Sequence, residues 1–213
     1  MTQSIADIRK DYSKQSMDAE ELSSDPIDQF KKWFSQAIDA KVLEPNAMNL
    51  ATHNANGGVS SRIVLIKDID DDGIVFYTNY ESEKGLQMLK NQQVAVNFFW
   101  PELERQVRLE GVTSKVSDER STIYFNSRPR ASQIGAWVSP QSNIIASRVY
   151  LEERQRELEE KYTGREIPRP KHWGGYKISM TMIEFWQGRP SRLHDRIRYQ
   201  LIHENWKMDR LAP

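Results

Sequence analysis

The chain has no cysteine, which excludes disulfides, thiolate nucleophiles and cysteine metal sites and fits a reducing compartment. Long apolar runs are missing too. No stretch reaches the roughly 18 residues that suggest a membrane span, and the first dozen residues lack the apolar core of a signal peptide. The cytosol is the expected compartment. An excess of one charge sign is also absent, with 30 basic and 30 acidic residues. No global field draws nucleic acid or an anionic membrane, so any anion site must come from a local cluster. The Gly-x-Gly-x-x-Gly turn and the Walker loop are missing, so side chains would have to hold a phosphorylated ligand. With neither a His-Glu-x-x-His pattern nor a Gly-x-Ser-x-Gly elbow, a metalloprotease or hydrolase triad has no support, and no metal is expected. His53, His172 and His203 read as surface or hydrogen-bonded structural residues.

What is present is an ordinary globular balance: 213 residues, 38% hydrophobic and 28% charged. Residues 1–24 are polar and read as an arm that is ordered by docking. Residues 25–213 read as one domain. Asp25-Pro26 is an N-cap followed by proline at the first helical position. Phe30, Trp33, Phe34, Ala37 and Ile38 then keep one apolar helical face up to the limit set by Pro45. Strands are predicted over Met48–His53 and Val59–Lys67, around the turn at 54–58, and again at Ile74–Asn79, Val94–Trp100 and Arg105–Val116. A short helix over Ser82–Asn91 interrupts them. Ser117, followed by Asp118 and Glu119, opens another helical stretch, and residues 147–162 form a charged helix. Strands at Tyr176–Trp186, Arg192–His203 and Trp206–Leu211 close the chain. Phe98-Phe99-Trp100 and Trp33 are assigned to the core. Many strands and few intervening helices imply an α+β fold, mainly antiparallel β, with a sheet or barrel.

Three segments can carry chemistry. In Arg192-Leu193-His194-Asp195-Arg196, a regular strand would put Arg192, His194 and Arg196 on one face. Such a row is either a charged, solvated edge strand or an anion site with His194 as a hydrogen-bonding or proton-handling group. In Ser61–Lys67 an apolar middle separates Arg62 from Lys67, whose different parity would send them to opposite faces. They cap the strand at solvent or serve two anions. Tyr124, Arg128 and Ser132 fall at i, i+4, i+8, one helical stripe of phenol, guanidinium and hydroxyl suited to phosphate. Pro129 should break that helix near Arg128.

In order along nearly the whole chain, Arg62–Lys67, Val75–Asn79, Leu103–Val107, Ser127–Arg130, Ser132–Ser139, Gln141-Ser142, Ile183–Gly188, Arg192–Arg196 and Trp206–Pro213 resemble the pyridoxine/pyridoxamine 5′-phosphate oxidase family. The resemblance implies an FMN-binding split β-barrel with flanking helices, dimerising with FMN at the subunit interface. It places Arg62, Ile63, Val64, Leu65, Ile66, Lys67, Tyr77, Thr78, Lys84, Gln106, Gln141, Ser142, Trp186 and Arg196 at FMN. Lys67, Tyr124, Arg128 and Ser132 match the substrate-phosphate pocket. Arg192 and His194 match residues over the pyridine ring, where they orient substrate, and Arg9 and Tyr12 match a segment that can cover the site. The implied reaction oxidises C4′ of pyridoxine or pyridoxamine phosphate to the aldehyde of pyridoxal 5′-phosphate, with hydride passing to the flavin and O2 leaving as H2O2. One departure is Glu83-Lys84, where the family often carries Arg-Lys, and the loss of that cation should weaken FMN phosphate binding. Another FMN split-barrel reductase, or a non-catalytic FMN or vitamin B6 phosphate carrier, are the competing readings.

Overall fold

The computed structural model describes residues 4–7 and 11–213. Helix α1 (Pro26–Asp39) starts where the capping signal put it, because Asp25 Oδ1 accepts the amides of Ile27 at 2.7 Å and Asp28 at 3.2 Å. Strands β1 (Ala47–His53), β2 (Val59–Ile69) and β3 (Gly73–Asn79) follow. Helix α2 (Glu83–Lys90) is capped by Ser82, whose hydroxyl accepts from the Gly85 amide. After β4 (Gln93–Trp100) and β5 (Arg105–Lys115) come three helices: α3 (Asp118–Ser127), α4 (Arg130–Val138) and α5 (Arg148–Lys161). The chain ends with β6 (Trp173–Gln187), β7 (Asp195–Ile202) and β8 (Asn205–Arg210).

The sheet order is β3-β2-β1-β4-β5-β6-β7-β8, and β3 also pairs with β6. The first six strands therefore close into an antiparallel barrel and the last two extend it. No helix among the described residues is long and apolar enough to cross a membrane.

Two compact units are distinguished. The first comprises Met1–Leu50, Ala95–Gly111 and Met180–Pro213. Its core packs Phe30 and Trp33 of α1 with Phe98, Trp100 and Phe185, all at most 3% exposed. Phe99 departs from the core expectation at 52% exposure, because strand alternation turns it away from its buried neighbours. Ile38, at 54%, likewise falls outside the buried face of α1.

The second unit comprises Ala51–Val94 and Val112–Ser179. Phe125, Ile134, Leu158 and Trp173 form a core that fastens α3, α4 and α5 to the start of β6. The β3–β6 ladder approaches closely at Gly73, where an added Cβ would lie 2.0 Å from the carbonyl oxygen of Ile178. That neighbour is backbone and cannot rotate away. Gly73→Ala should lower unfolding free energy by about 3 kcal/mol, as overpacking does in a tight core, and a urea titration would read it as a lower midpoint.

Candidate active site

In the second unit β2, β3, α2, α3, α4 and the segment after α4 surround a cavity of about 970 Å³. It is lined by Arg62, Ile63, Val64, Leu65, Lys67, Tyr77, Thr78, Lys84, Gln141 and Ser142, and also by Tyr124, Arg128 and Ser132. Ile66 is the exception among the β2 residues: it is 3% exposed and belongs to the core.

Arg62 and Lys67 line this one cavity rather than opposite faces. The cavity takes β2 residues of both parities, Ile63 and Leu65 as well as Arg62 and Val64, and the β2–β3 ladder also slips at Lys67, since Ile66 pairs with Phe76 and Asp68 with Val75. Lys67 is the extra residue of a bulge, which breaks the period-two alternation.

Two cationic groups face the cavity. The first is Arg62 with Lys84. Lys84 is 8% exposed, and its ammonium donates to Thr78 Oγ1 at 3.1 Å, Ser82 Oγ at 3.3 Å and Gln141 Oε1 at 3.2 Å. These are neutral oxygens. Burial, reinforced by the nearby Arg62 charge and opposed by Glu83, lowers its pKa to about 8. Arg62 donates to Thr52 Oγ1, to Ser60 O and Oγ and to Gln87 Oε1. Burial lowers its pKa and the Glu83 charge raises it. Glu83 accepts from Gln87 Nε2 at 3.0 Å and so fixes the amide whose oxygen meets Arg62.

The second group is built on aromatic rings. Tyr77 and Tyr124 stack at 3.9 Å, Trp173 lies parallel to both, and the Arg128 guanidinium sits 4.5 Å over Trp173. Pro129 breaks the helix as expected, so Tyr124 and Ser132 stand on separate helices, α3 and α4. The break is bridged by Gln133, whose amide donates to the carbonyls of Asn126 and Arg128. Arg128 Nη1 is buried and has no hydrogen-bond partner. An unpaired buried donor on a cation is costly, so this atom is set for an anion in the cavity. Burial lowers the Arg128 pKa and raises that of Tyr124.

The first unit holds the remaining candidates. The expected strand face of Arg192, His194 and Arg196 does not form. Pro190–Arg192 makes a turn of 3-10 helix, Ser191 and Arg192 have positive φ of 55° and 61°, and β7 begins only at Asp195. Non-glycine residues pay for that backbone geometry, so alternation is lost at this corner. Arg196 is also not short of a carboxylate. It grips Glu184 of β6 through Nε at 2.8 Å and Nη2 at 3.1 Å, and Nη1 donates to the Ala212 carbonyl. Glu184 raises the Arg196 pKa in return.

His194 packs 4.5 Å from Trp186, ring centre to ring centre, and Tyr12 closes on both at 5.7 and 6.0 Å. The Arg189 amide donates to His194 Nδ1 at 3.0 Å, which requires a proton-free Nδ1 and puts the neutral ring's proton on Nε2. Burial and the Arg192 charge lower the His194 pKa, against the pull of Asp195. An NMR titration of the ring nitrogens should therefore give a midpoint below the ordinary 6.5. Gln106 is half-buried on β5. Arg9 lies outside the described residues. Sequence reasoning missed Trp173, Glu184 and the Gln87 relay: Glu184 lies within the Ile183–Gly188 landmark without being singled out by it, and no local motif marks the other two.

This is a split-barrel protein whose cavity is furnished with cations held by neutral partners. The family described as pyridoxamine 5′-phosphate oxidase matches residues 34–162, and that of the pyridoxine 5′-phosphate oxidase C-terminal dimerisation region matches residues 173–213. A pyridoxine/pyridoxamine 5′-phosphate oxidase from Cyanothece sp. is 53% identical over 100% of both chains. One from Cytophaga hutchinsonii is 54% identical, again over 100% of both. Among solved structures, PhzG from Burkholderia lata, in complex with tetrahydrophenazine-1-carboxylic acid, superposes with a TM-score of 0.90 at 28% identity, covering 96% of this chain and 100% of its own. The chain belongs to the pyridoxamine 5′-phosphate oxidase family and is an oxidoreductase.

Proposed function

We propose that the chain oxidises pyridoxine 5′-phosphate and pyridoxamine 5′-phosphate to pyridoxal 5′-phosphate, as an FMN-dependent homodimer with the cofactor at the subunit interface and O2 as the acceptor, reduced to H2O2. The observation that carries this reading is the buried, unpartnered Arg128 Nη1 in a cavity that also presents Lys67, Tyr124 and Ser132. A phosphate monoester supplies both the charge and the acceptor oxygens that this set lacks. The relatives named as oxidases of these substrates, identical to this chain at about half of all positions, support the choice of ester.

The Arg62–Lys84 group suits a second phosphate, that of FMN. Its ammonium is buried among neutral oxygens, so the charge is solvated but not neutralised, which is what an incoming anion requires. Arg62, Ile63, Val64, Leu65, Lys67, Tyr77, Thr78, Lys84, Gln141 and Ser142 are assigned to the cofactor from the cavity they line, and Ile66, Gln106, Trp186 and Arg196 by resemblance alone. When bound, FMN supplies the hydride acceptor. The protein's own residues do the rest. Arg128, Tyr124, Ser132 and Lys67 hold the phosphate end, which fixes the substrate's reach into the cavity. Arg192 and His194 orient the ring, His194 as a neutral Nε2–H donor. Tyr12 and Arg9 are assigned to the segment that covers bound substrate and excludes water.

Under air, the FMN-loaded protein should convert pyridoxine 5′-phosphate to the aldehyde with one peroxide per turnover. Unphosphorylated pyridoxine should be a far poorer substrate. Flavin binding without aldehyde formation would point to a carrier, and equal rates with and without the phosphate would remove Arg128 from the reading.

A further inference from the structure

Glu104 has a buried carboxylate in the turn between β4 and β5, with 2% of the residue exposed and a positive φ of 55°. Its Oε2 accepts two consecutive backbone amides, Ser13 at 2.9 Å and Lys14 at 3.0 Å, about ninety residues away in sequence. Its own carbonyl accepts the Gly188 amide at 2.8 Å. The same residue thus grips the N-terminal segment by its side chain and the β6 exit by its backbone.

The two grips meet at Tyr12. A Cβ on Gly188 would lie 2.6 Å from Tyr12 Cγ and 2.7 Å from its Cβ, so the tyrosine rests on a bare glycine. From there its ring meets Trp186 and His194 edge-on. Three further bonds hold the stretch that follows. Lys14 Nζ donates to the Glu102 carbonyl at 2.6 Å, Arg105 Nη2 donates to Gln15 Oε1, and the Met17 amide donates to Asp195 Oδ2 at 3.1 Å. An anionic acceptor on backbone amides forms the stronger class of hydrogen bond, and a strained non-glycine backbone persists where the surroundings over-determine it.

We propose that Glu104 is a positioning residue that latches the N-terminal segment, seating Tyr12 on Gly188 beside Trp186 and His194, so that it governs substrate binding without touching substrate. The proposal rests on the substrate role assigned to Tyr12 above. Its consequence is a split between kinetic parameters. Loss of the latch removes one aromatic contact, so KM for pyridoxine 5′-phosphate should rise roughly five- to tenfold. The turnover number should change little, because a contact made equally in ground and transition states acts on KM alone. Glu104→Gln keeps an acceptor oxygen and should fall between the native protein and Glu104→Ala.

The experiment uses the full-length, FMN-loaded protein, four single variants (Glu104→Ala, Glu104→Gln, Gly188→Ala and Tyr12→Ala) and the Glu104→Ala/Tyr12→Ala double variant. Each is measured for KM, kcat and the rate of tryptic cleavage after Lys14. The expected result is faster cleavage and higher KM in Glu104→Ala and Gly188→Ala, with retained kcat. Adding Glu104→Ala to Tyr12→Ala should raise KM no further, since both act through one contact. Unchanged cleavage in Glu104→Ala, or a fully additive double variant, would overturn the latch. A fall in kcat and FMN content at constant KM would also overturn it, as the mark of a merely structural role. If the native protein failed to turn over pyridoxine 5′-phosphate, the proposed function would fall, and the cleavage rates would still decide the latch.

Discussion

Arg128→Ala should lower kcat/KM for pyridoxine 5′-phosphate by roughly 30- to 150-fold, the worth of about 2–3 kcal/mol for a charge-assisted phosphate contact. Most of the change should appear in KM, because the phosphate does not react and is held alike in ground and transition states. The guanidinium is held by its position over Trp173, and its unpartnered Nη1 has nothing to lose but the ligand. Arg128→Lys should rescue little. An ammonium lacks the planar fork and cannot stack flat on the indole. Steady-state kinetics with the phosphorylated and unphosphorylated substrates checks this, because the penalty should vanish for unphosphorylated pyridoxine.

The second large effect concerns Lys84. Lys84→Met should weaken FMN binding by roughly 10- to 150-fold, since it removes a buried, charge-assisted partner of the cofactor phosphate. The native protein should show a matching pH dependence. With its pKa lowered to about 8 by burial and by Arg62, Lys84 carries its charge below pH 8 and sheds it above. FMN affinity should therefore be full below pH 8 and fall as pH rises through that value. The stability of the ligand-free protein moves the other way. Its folded-state pKa lies below that of the unfolded chain, so between pH 8 and 10.5 the unfolded state binds more protons. The Lys84 contribution to folding stability then rises with pH over that window. Fluorescence titration of FMN across this range, in the native protein and in Lys84→Met, reads the first effect, and only the native protein should show the step.

Local signals in the sequence marked the places where a single residue settles a backbone end. Asp25 and Ser117 each cap the helix that their residue type announces. The Tyr124, Arg128 and Ser132 stripe also survives in the cavity, although Pro129 divides it between two helices. The illegible parts depend on register and on distant partners. Period-two spacing gives no sign of the bulge at Lys67, which is a property of the pairing with β3. Nor does it reveal the positive φ at Ser191 and Arg192 that dissolves the expected face. The carboxylate that answers Arg196 sits on the neighbouring strand, diagonally across a β6–β7 register that pairs Arg196 with Trp186 and Glu184 with Arg198. Trp173, which organises Tyr77, Tyr124 and Arg128, lies some forty residues or more from each of them.

Glu83 stands where the resemblance leads one to expect a cation, and in the structure it has a role of its own. Its carboxylate orients Gln87, whose oxygen meets Arg62, and its charge supports protonation of both Arg62 and Lys84.

The most direct measurement is anaerobic mixing of the FMN-loaded protein with pyridoxamine 5′-phosphate while the flavin's visible absorption is followed. Complete bleaching by the phosphorylated amine, with none by NADH, is the expected result. Bleaching by NADH with the phosphorylated amine inert would contradict it and mark the chain as a split-barrel reductase instead.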